Sequence, residues 1–344
     1  MSFSSVVEEI RKNVEAYRSE PRTLTYLALN ENPYPFPEEL VRECFERIDA
    51  SRLPTYVDSP SEEFLNELVD YVSIGGWKAQ KEQISVGNGA DEIIYVLLSM
   101  FKDLSIYVFP PTYSCYEIFA SAVGVKLNRV PLAGERIDLE RLKDLNEDCV
   151  VFLPNPNNPT GHLFTDEEIF RLLNSGALLV LDEAYYEFSG RTYAPLIEDY
   201  SNLIVVRTFS KAFGLASQRI GYLIANTALI DAYNRIRLPY NVSYTGQLFA
   251  TVALKNRRIF EERIERIVEE RERLKSALRR LGFNVSDSKA NFVFVYLDQK
   301  EAERIHRALL ERGITVRKTG WGLRISVGQT QQNDLVIETL EGLM

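Results

Sequence analysis

The sequence predicts an α/β fold in two parts: a large domain on a mostly parallel sheet covered by helices, and a smaller α+β domain. Short runs rich in Val and Ile at 106–109, 149–153, 177–181, 203–206 and 220–224 read as buried strands. Helical patterns separate most of them. Strands apolar throughout, alternating with helices, belong to a parallel sheet covered on both faces. After about residue 240 the pattern changes. Residues 243–281 read as long helices, followed by a strand at 292–296, a helix at 301–312, two short strands and a last helix. The division expected is an N-terminal arm at 1–28 packing on the small domain or a partner, a large domain at 29–240 and a small domain at 241–344.

In chain order, Val6, Val7, Ile10, Val14 and Tyr17 have helical spacing that breaks at Pro21. A proline-punctuated loop, LNENPYPFP, covers 29–37. Leu40, Val41, Cys44, Phe45 and Ile48 mark one helix face, and Phe64, Leu65, Leu68, Val69 and Val72 another. A short strand at 84–86 runs into Gly87–Glu92 and a helix. Thr165 with Glu168 three residues on is a capping box. The Arg- and Glu-dense stretch at 257–280 reads as a solvated helix face with i,i+4 pairs.

Length and composition exclude several function classes. A chain of 344 residues allows about two domains. With 45% hydrophobic and 26% charged residues it has a globular rather than a disordered composition. The net charge of −9 argues against a nucleic-acid surface. No apolar run reaches the roughly 18 residues of a membrane span, and no secretory signal is readable. Cys44, Cys115 and Cys149 include no CxxC, which argues against a disulfide framework or a cysteine zinc site and suits a reducing cytoplasm. His162 and His306 lie too far apart to suggest a histidine metal site, so no metal is expected. The Gly87-Asn88-Gly89 start of a dinucleotide fingerprint fails, because Glu92 stands where a third glycine or alanine belongs. GxxxxGK[ST], GxSxG and HExxH are all missing.

What survives is an ordered set of polar residues at strand ends, where parallel sheets hold ligands. Asn158-Pro159-Thr160-Gly161 follows the 149–153 strand, Asp182-Glu183-Ala184-Tyr185 the next, and Arg207-Thr208-Phe209-Ser210-Lys211 the one after; Arg219 precedes the last. Singly each has a plain explanation: a solvated lysine, a capping aspartate, a turn asparagine, a surface arginine. Together they fit pyridoxal 5′-phosphate. The amine of Lys211 condenses with its aldehyde. Asp182 holds a proton on its ring nitrogen, and Asn158 and Tyr185 donate to its ring oxygen. Arg219 offers the phosphate a bidentate fork, Thr208 and Ser210 offer hydroxyls, and Ala90 and Asp91 offer backbone N–H groups at a helix start. The carboxylates of Asp91 and Glu92 are expected to point away from the phosphate or to favour the helix dipole. Tyr113 is the candidate to stack on the ring.

These residues resemble the pyridoxal-phosphate-dependent aminotransferases of the aspartate aminotransferase fold (fold type I), and within them the histidinol-phosphate branch. SVGNGADE, PPTYSCY, PNPNNPTGH, LDEAYYEF, RTFSKAFGLASQRIGY and NFVFV carry the resemblance, from Leu29 to Gly328. It implies a seven-stranded type of sheet and catalytic roles for Lys211, Asp182 and Tyr185, with Lys211 also the proton shuttle. It further implies a homodimer with shared active sites, in which the partner's Tyr56 reaches the phosphate. Arg324, Arg317 and Tyr34, with Asn158 and Tyr113, would contact substrate. The implied reaction moves an amino group from L-glutamate to imidazole-acetol phosphate, giving 2-oxoglutarate and L-histidinol phosphate. An aromatic or broad-specificity aminotransferase and a phosphothreonine decarboxylase share much of this set.

Overall fold

The structure, a computed structural model, describes residues 2–14 and 16–343. The expected arm and small domain include Met1, Glu15 and Met344, which lie outside the described residues. The strands in chain order are β1 (Thr25–Leu27), β2 (Ile84–Gly87), β3 (Ser105–Val108), β4 (Asn128–Arg129), β5 (Cys149–Pro154), β6 (Leu178–Asp182), β7 (Leu203–Thr208), β8 (Gly221–Ala225), β9 (Phe292–Tyr296), β10 (Ile314–Thr319) and β11 (Gly322–Ser326). A seven-stranded sheet runs β2-β8-β7-β6-β5-β3-β4. It is parallel except at β8, which is antiparallel to both β2 and β7.

Alternate residues of each central strand face opposite covers. Val151 and Leu153 of β5 join a core with Phe64, Leu68, Val252 and Leu254, whereas Val150 and Phe152 join one with Ile93, Leu97 and Tyr116. Both faces are dry, which is why these strands are apolar without alternation. The helix Tyr244–Lys255 packs on Glu62–Val72 and Glu38–Glu46, against the large sheet's own cover.

A second sheet runs β1-β10-β11-β9. Its core is formed by Val293, Val295, Ile305, Leu309, Ile314, Val316, Leu323 and Ile325. β1 comes from the start of the chain and pairs in parallel with β10, Tyr26 opposite Thr315. Neither β1 nor β4 is predicted from sequence; at three and two residues they are too short to show a period.

The capping box forms: Glu168 N donates to Thr165 Oγ1 at 3.3 Å and Thr165 N to Glu168 Oε2 at 2.8 Å. Helix Arg257–Arg280 is solvated only in part. Arg258 pairs with Glu262, but Arg271 is buried and donates to the carbonyls of Phe188 and Ala290, and Lys275 is buried against Asp287. Among the described residues no helix is long and apolar enough to cross a membrane.

Candidate active site

The sheet register sets Asp182 beside Pro154 on one side and Val206 on the other, so β5, β6 and β7 present their C-terminal ends together. Asp182 is 5% exposed. Its Oδ2 accepts from Tyr116 OH at 3.0 Å and its Oδ1 from Ala184 N at 3.1 Å. Burial pushes the carboxyl up to about 6, against the pull of these two donors. Tyr116 is wholly buried, and burial followed by the charge of Asp182 pushes its phenol well up, so it stays a donor.

Past β7 the chain turns through Ser210 to Lys211. Lys211 Nζ donates to Leu29 O at 2.9 Å. Burial, with Arg324 adding repulsion, brings the amine down to about 8. Asn32 Nδ2 holds the turn from behind, donating to Lys211 O at 3.1 Å and Ala212 O at 2.9 Å.

Arg219 closes the next corner from a left-handed backbone, φ 54°. A Cβ on Gly89 would lie 2.5 Å from Arg219 Nη2, and one on Gly221 would lie 2.5 Å from Ala90 N. Both glycines are therefore required for helix Gly89–Met100 to start against this guanidinium. Thr208 Oγ1 donates to Ser210 Oγ at 3.0 Å, and Arg219 Nη1 lies 3.5 Å from Ser210 Oγ.

Of the two alternatives expected for Asp91, one is excluded and the other stands, since the residue occupies the first turn of helix Gly89–Met100, where a carboxylate favours the dipole. The Asp91 carboxylate does not point away: Oδ2 pairs with Arg219 Nη2 at 3.0 Å, and Oδ1 accepts from Tyr113 OH at 2.9 Å. Glu92, one residue on and so rotated about 100° around the helix, does turn away. Its Oε2 accepts from Asn88 N at 2.5 Å and Asn241 Nδ2 at 2.7 Å, at the positive end of the dipole. Asp91 faces the cavity because two donors meet it there.

On the opposite wall Arg324 Nη1 donates to Asn158 Oδ1 at 2.7 Å and Nη2 to Ala28 O at 2.6 Å. Arg317 sits opposite Arg324 in the β10–β11 register. Its Nη1 donates to Arg18 O at 2.9 Å and lies 3.6 Å from Glu20 Oε1.

One cavity of about 590 Å³ is lined by Ala90, Asp91, Tyr113, Asn158, Asp182, Tyr185, Thr208, Ser210, Lys211, Arg219, Arg317 and Arg324. Tyr34 and Tyr56 are not among its lining residues. Tyr34 packs against the core of the large sheet with Arg263 over its ring. Tyr56 is 84% exposed and stacks on Tyr240 at 4.8 Å.

The model of the family "Aminotransferase class I and II" matches residues 22–340. The chain belongs to the class I and II aminotransferases. The histidinol-phosphate aminotransferase of Thermotoga sp. (strain RQ2) is 53% identical over 334 residues, covering 96% of this chain and 97% of that protein. The crystal structure of the Sinorhizobium meliloti histidinol-phosphate aminotransferase, in complex with pyridoxal-5′-phosphate, matches with a TM-score of 0.82 at 26% identity, covering 94% of this chain and 92% of that one. A tetra mutant of Thermus thermophilus aspartate aminotransferase, at 21% identity, shares the fold with a TM-score of 0.78 over 94% of this chain and 96% of that one.

Sequence reasoning missed polar groups in and behind the aminotransferase cavity: Tyr17 and Asn30 line it, whereas Tyr116 backs Asp182 and Asn32 backs the Lys211 turn. Tyr116 carried a usable signal, since it lies three residues after Tyr113 near the start of a helix. Asn30, Asn32 and Tyr17 precede the large sheet by more than fifty residues, and spacing does not tie them to it.

Proposed function

We propose that this aminotransferase binds pyridoxal 5′-phosphate and transfers the amino group of L-glutamate to imidazole-acetol phosphate, forming L-histidinol phosphate and 2-oxoglutarate in histidine biosynthesis. The observation that carries the reading is a single cavity with a low-pKa amine, a buried carboxyl and an arginine cradle at its corners. Identity of 53% to a histidinol-phosphate aminotransferase across nearly the whole of both chains supports the substrate assignment.

The donor set fits the cofactor. Arg219, Ser210, Thr208 and the N–H groups of Ala90 and Asp91 would hold the phosphate, Tyr113 the ring face, Asp182 the ring nitrogen, and Asn158 with Tyr185 the ring oxygen. When bound, pyridoxal phosphate supplies the electron sink that makes a substrate Cα–H acidic. Lys211 Nζ, neutral in an appreciable fraction near pH 7 with a pKa of about 8, takes the Cα proton and returns it. Asp182 keeps a proton at the heterocycle nitrogen; a cation there favours its ionised form. Arg324 grips an α-carboxylate or a phosphate ester bidentately, which lets one pocket take both substrates, and Arg317 adds a second positive charge. We further propose two domains whose boundary falls after helix Tyr244–Lys255 rather than at the expected 240, because that helix shares the large sheet's core, and a homodimer in which the partner's Tyr56 completes the phosphate site. Tyr56 and Tyr240, both exposed and stacked on each other, offer an apolar surface suited to that contact.

The test is a half-reaction. Histidinol phosphate added to the holoprotein should convert the cofactor's visible absorbance faster than phosphothreonine or phenylalanine does. A faster conversion by either competitor would refute the substrate assignment. Lys211→Ala should lose both the visible band and turnover.

A further inference from the structure

We propose that Asn30 is a positioning residue that forces the hydroxyl hydrogen of Tyr185 into the cavity. This rests on the reading of Tyr185 as a donor to the cofactor's ring oxygen and explains how that donation is enforced.

A tyrosine hydroxyl has one hydrogen and two lone pairs. Tyr185 OH receives Asn30 Nδ2 at 3.0 Å and, at the longer distance of 3.4 Å, Asn158 Nδ2. Neither amide is free to turn over. Arginine only donates, so Arg324 fixes Asn158 Oδ1 on its own side and leaves Nδ2 facing Tyr185. Ser326 Oγ accepts from Asn30 N at 2.8 Å and gives its own hydrogen to Asn30 Oδ1 at 3.1 Å, its one acceptor among the described residues. Turning the amide over would leave a buried hydroxyl hydrogen unpaired, and the orientation that avoids this leaves Nδ2 facing Tyr185. With both lone pairs met by N–H groups, the Tyr185 hydrogen points away from them. Among the described residues the hydroxyl donates to no protein acceptor, and Tyr185 lines the cavity. Burial raises the phenol to about 12, so the hydrogen is retained.

Asn30 is built for this task at some local cost. It is 0% exposed and non-glycine, yet held at φ 54°, a conformation that persists when its surroundings over-determine it. Asn291 Nδ2 holds Asn30 O at 3.0 Å, completing the anchorage. The carbonyls of Ala28, Leu29 and Asn30 thus receive Arg324, Lys211 and Asn291 in succession.

The experiment compares wild type, Asn30→Gly, Tyr185→Phe and the double variant. Glycine keeps the left-handed backbone and removes only the amide. The measurements are calorimetric affinity for pyridoxine 5′-phosphate, which has the ring oxygen and phosphate but no aldehyde, and the pH midpoint of the holoprotein's visible band. Asn30→Gly should weaken pyridoxine phosphate binding about fivefold and move the midpoint by roughly half a unit or more. Both effects should vanish in the Tyr185→Phe background, since Asn30 acts through that hydroxyl. Asn30→Asp, which puts an acceptor in place of the amide donor and draws the hydrogen away from the cavity, should bind more weakly than Asn30→Gly. If Tyr185→Phe changes neither readout, the reading of Tyr185 is wrong. If Tyr185→Phe changes them but Asn30→Gly does not, or Asn30→Gly has equal effect with and without Tyr185, only the role of Asn30 is overturned.

Discussion

Asp182 shows the tension between stability and chemistry at one side chain. Its folded pKa of about 6 lies above the roughly 3.9 of an unfolded aspartate. Its contribution to stability is therefore complete below pH 3.9 and lost as the pH rises through 6, where a buried carboxyl must ionise. In the apoprotein Asp182→Asn should stabilise the fold by about 1–3 kcal/mol at pH 8, with the difference gone near pH 4. Denaturant titration at the two pH values checks this. The same variant in the holoprotein should lose most of kcat. Tyr116→Phe removes one donor to the carboxylate and should lower kcat about ten- to a hundredfold with KM little changed, the worth of one charge-assisted hydrogen bond; equal kcat would show that Ala184 N suffices. Asp182, Lys211 and Arg219 were legible in the sequence because each closes an apolar strand or opens one. Asn30 was not, since it acts through another side chain and only the folded chain brings the pair together, and for Tyr116 the helical spacing from Tyr113 hinted at a shared face without naming Asp182 as its partner. For Asp91 the sequence left two alternatives open because a helix start says which backbone groups are free, not which way a carboxylate swings.

At the scale of elements, the ends of β6 and β7 are tied by a buried ion pair. Arg207 Nε and Nη2 reach Glu183 Oε2 at 3.0 and 2.9 Å, with side chains 2% and 0% exposed, and the guanidinium lies 3.6 Å over the Tyr186 ring. Breaking such a pair from one side strands the other charge. Glu183→Ala should cost about 3–5 kcal/mol in urea unfolding and loosen the 182–185 turn. A loss below about 1 kcal/mol would mean that Tyr186 and Thr192 satisfy Arg207 alone. The central strands were readable because both faces of the sheet are covered, which makes them apolar from end to end. Their limits moved by a residue or two: β7 runs on through Arg207 and Thr208, polar residues that a hydropathy pattern excludes and that hydrogen bonds to β8 keep in the sheet.

For the whole molecule, the proposed dimer makes a sharp prediction through Tyr56, which lies outside its own cavity. Lys211→Ala and Tyr56→Phe chains, each impaired alone, are mixed, dissociated and reassociated. Hybrid dimers then carry one site with both lesions and one with neither, so random pairing should restore about a quarter of wild-type activity. Recovery no greater than the sum of the two parents would remove Tyr56 from the shared site.

The pairing of β1 with β10, and the hold of Arg324 on Ala28 O, join positions almost three hundred residues apart. Such long-range closures form late. On the ribosome, the strand at 25–27 waits without its neighbour until the strand at 314–319 has emerged. Binding competence therefore arrives in one final event after most of the chain has been translated, and a prematurely terminated product that stops before residue 314 leaves the strand at 25–27 without its neighbour and the Ala28 carbonyl without Arg324.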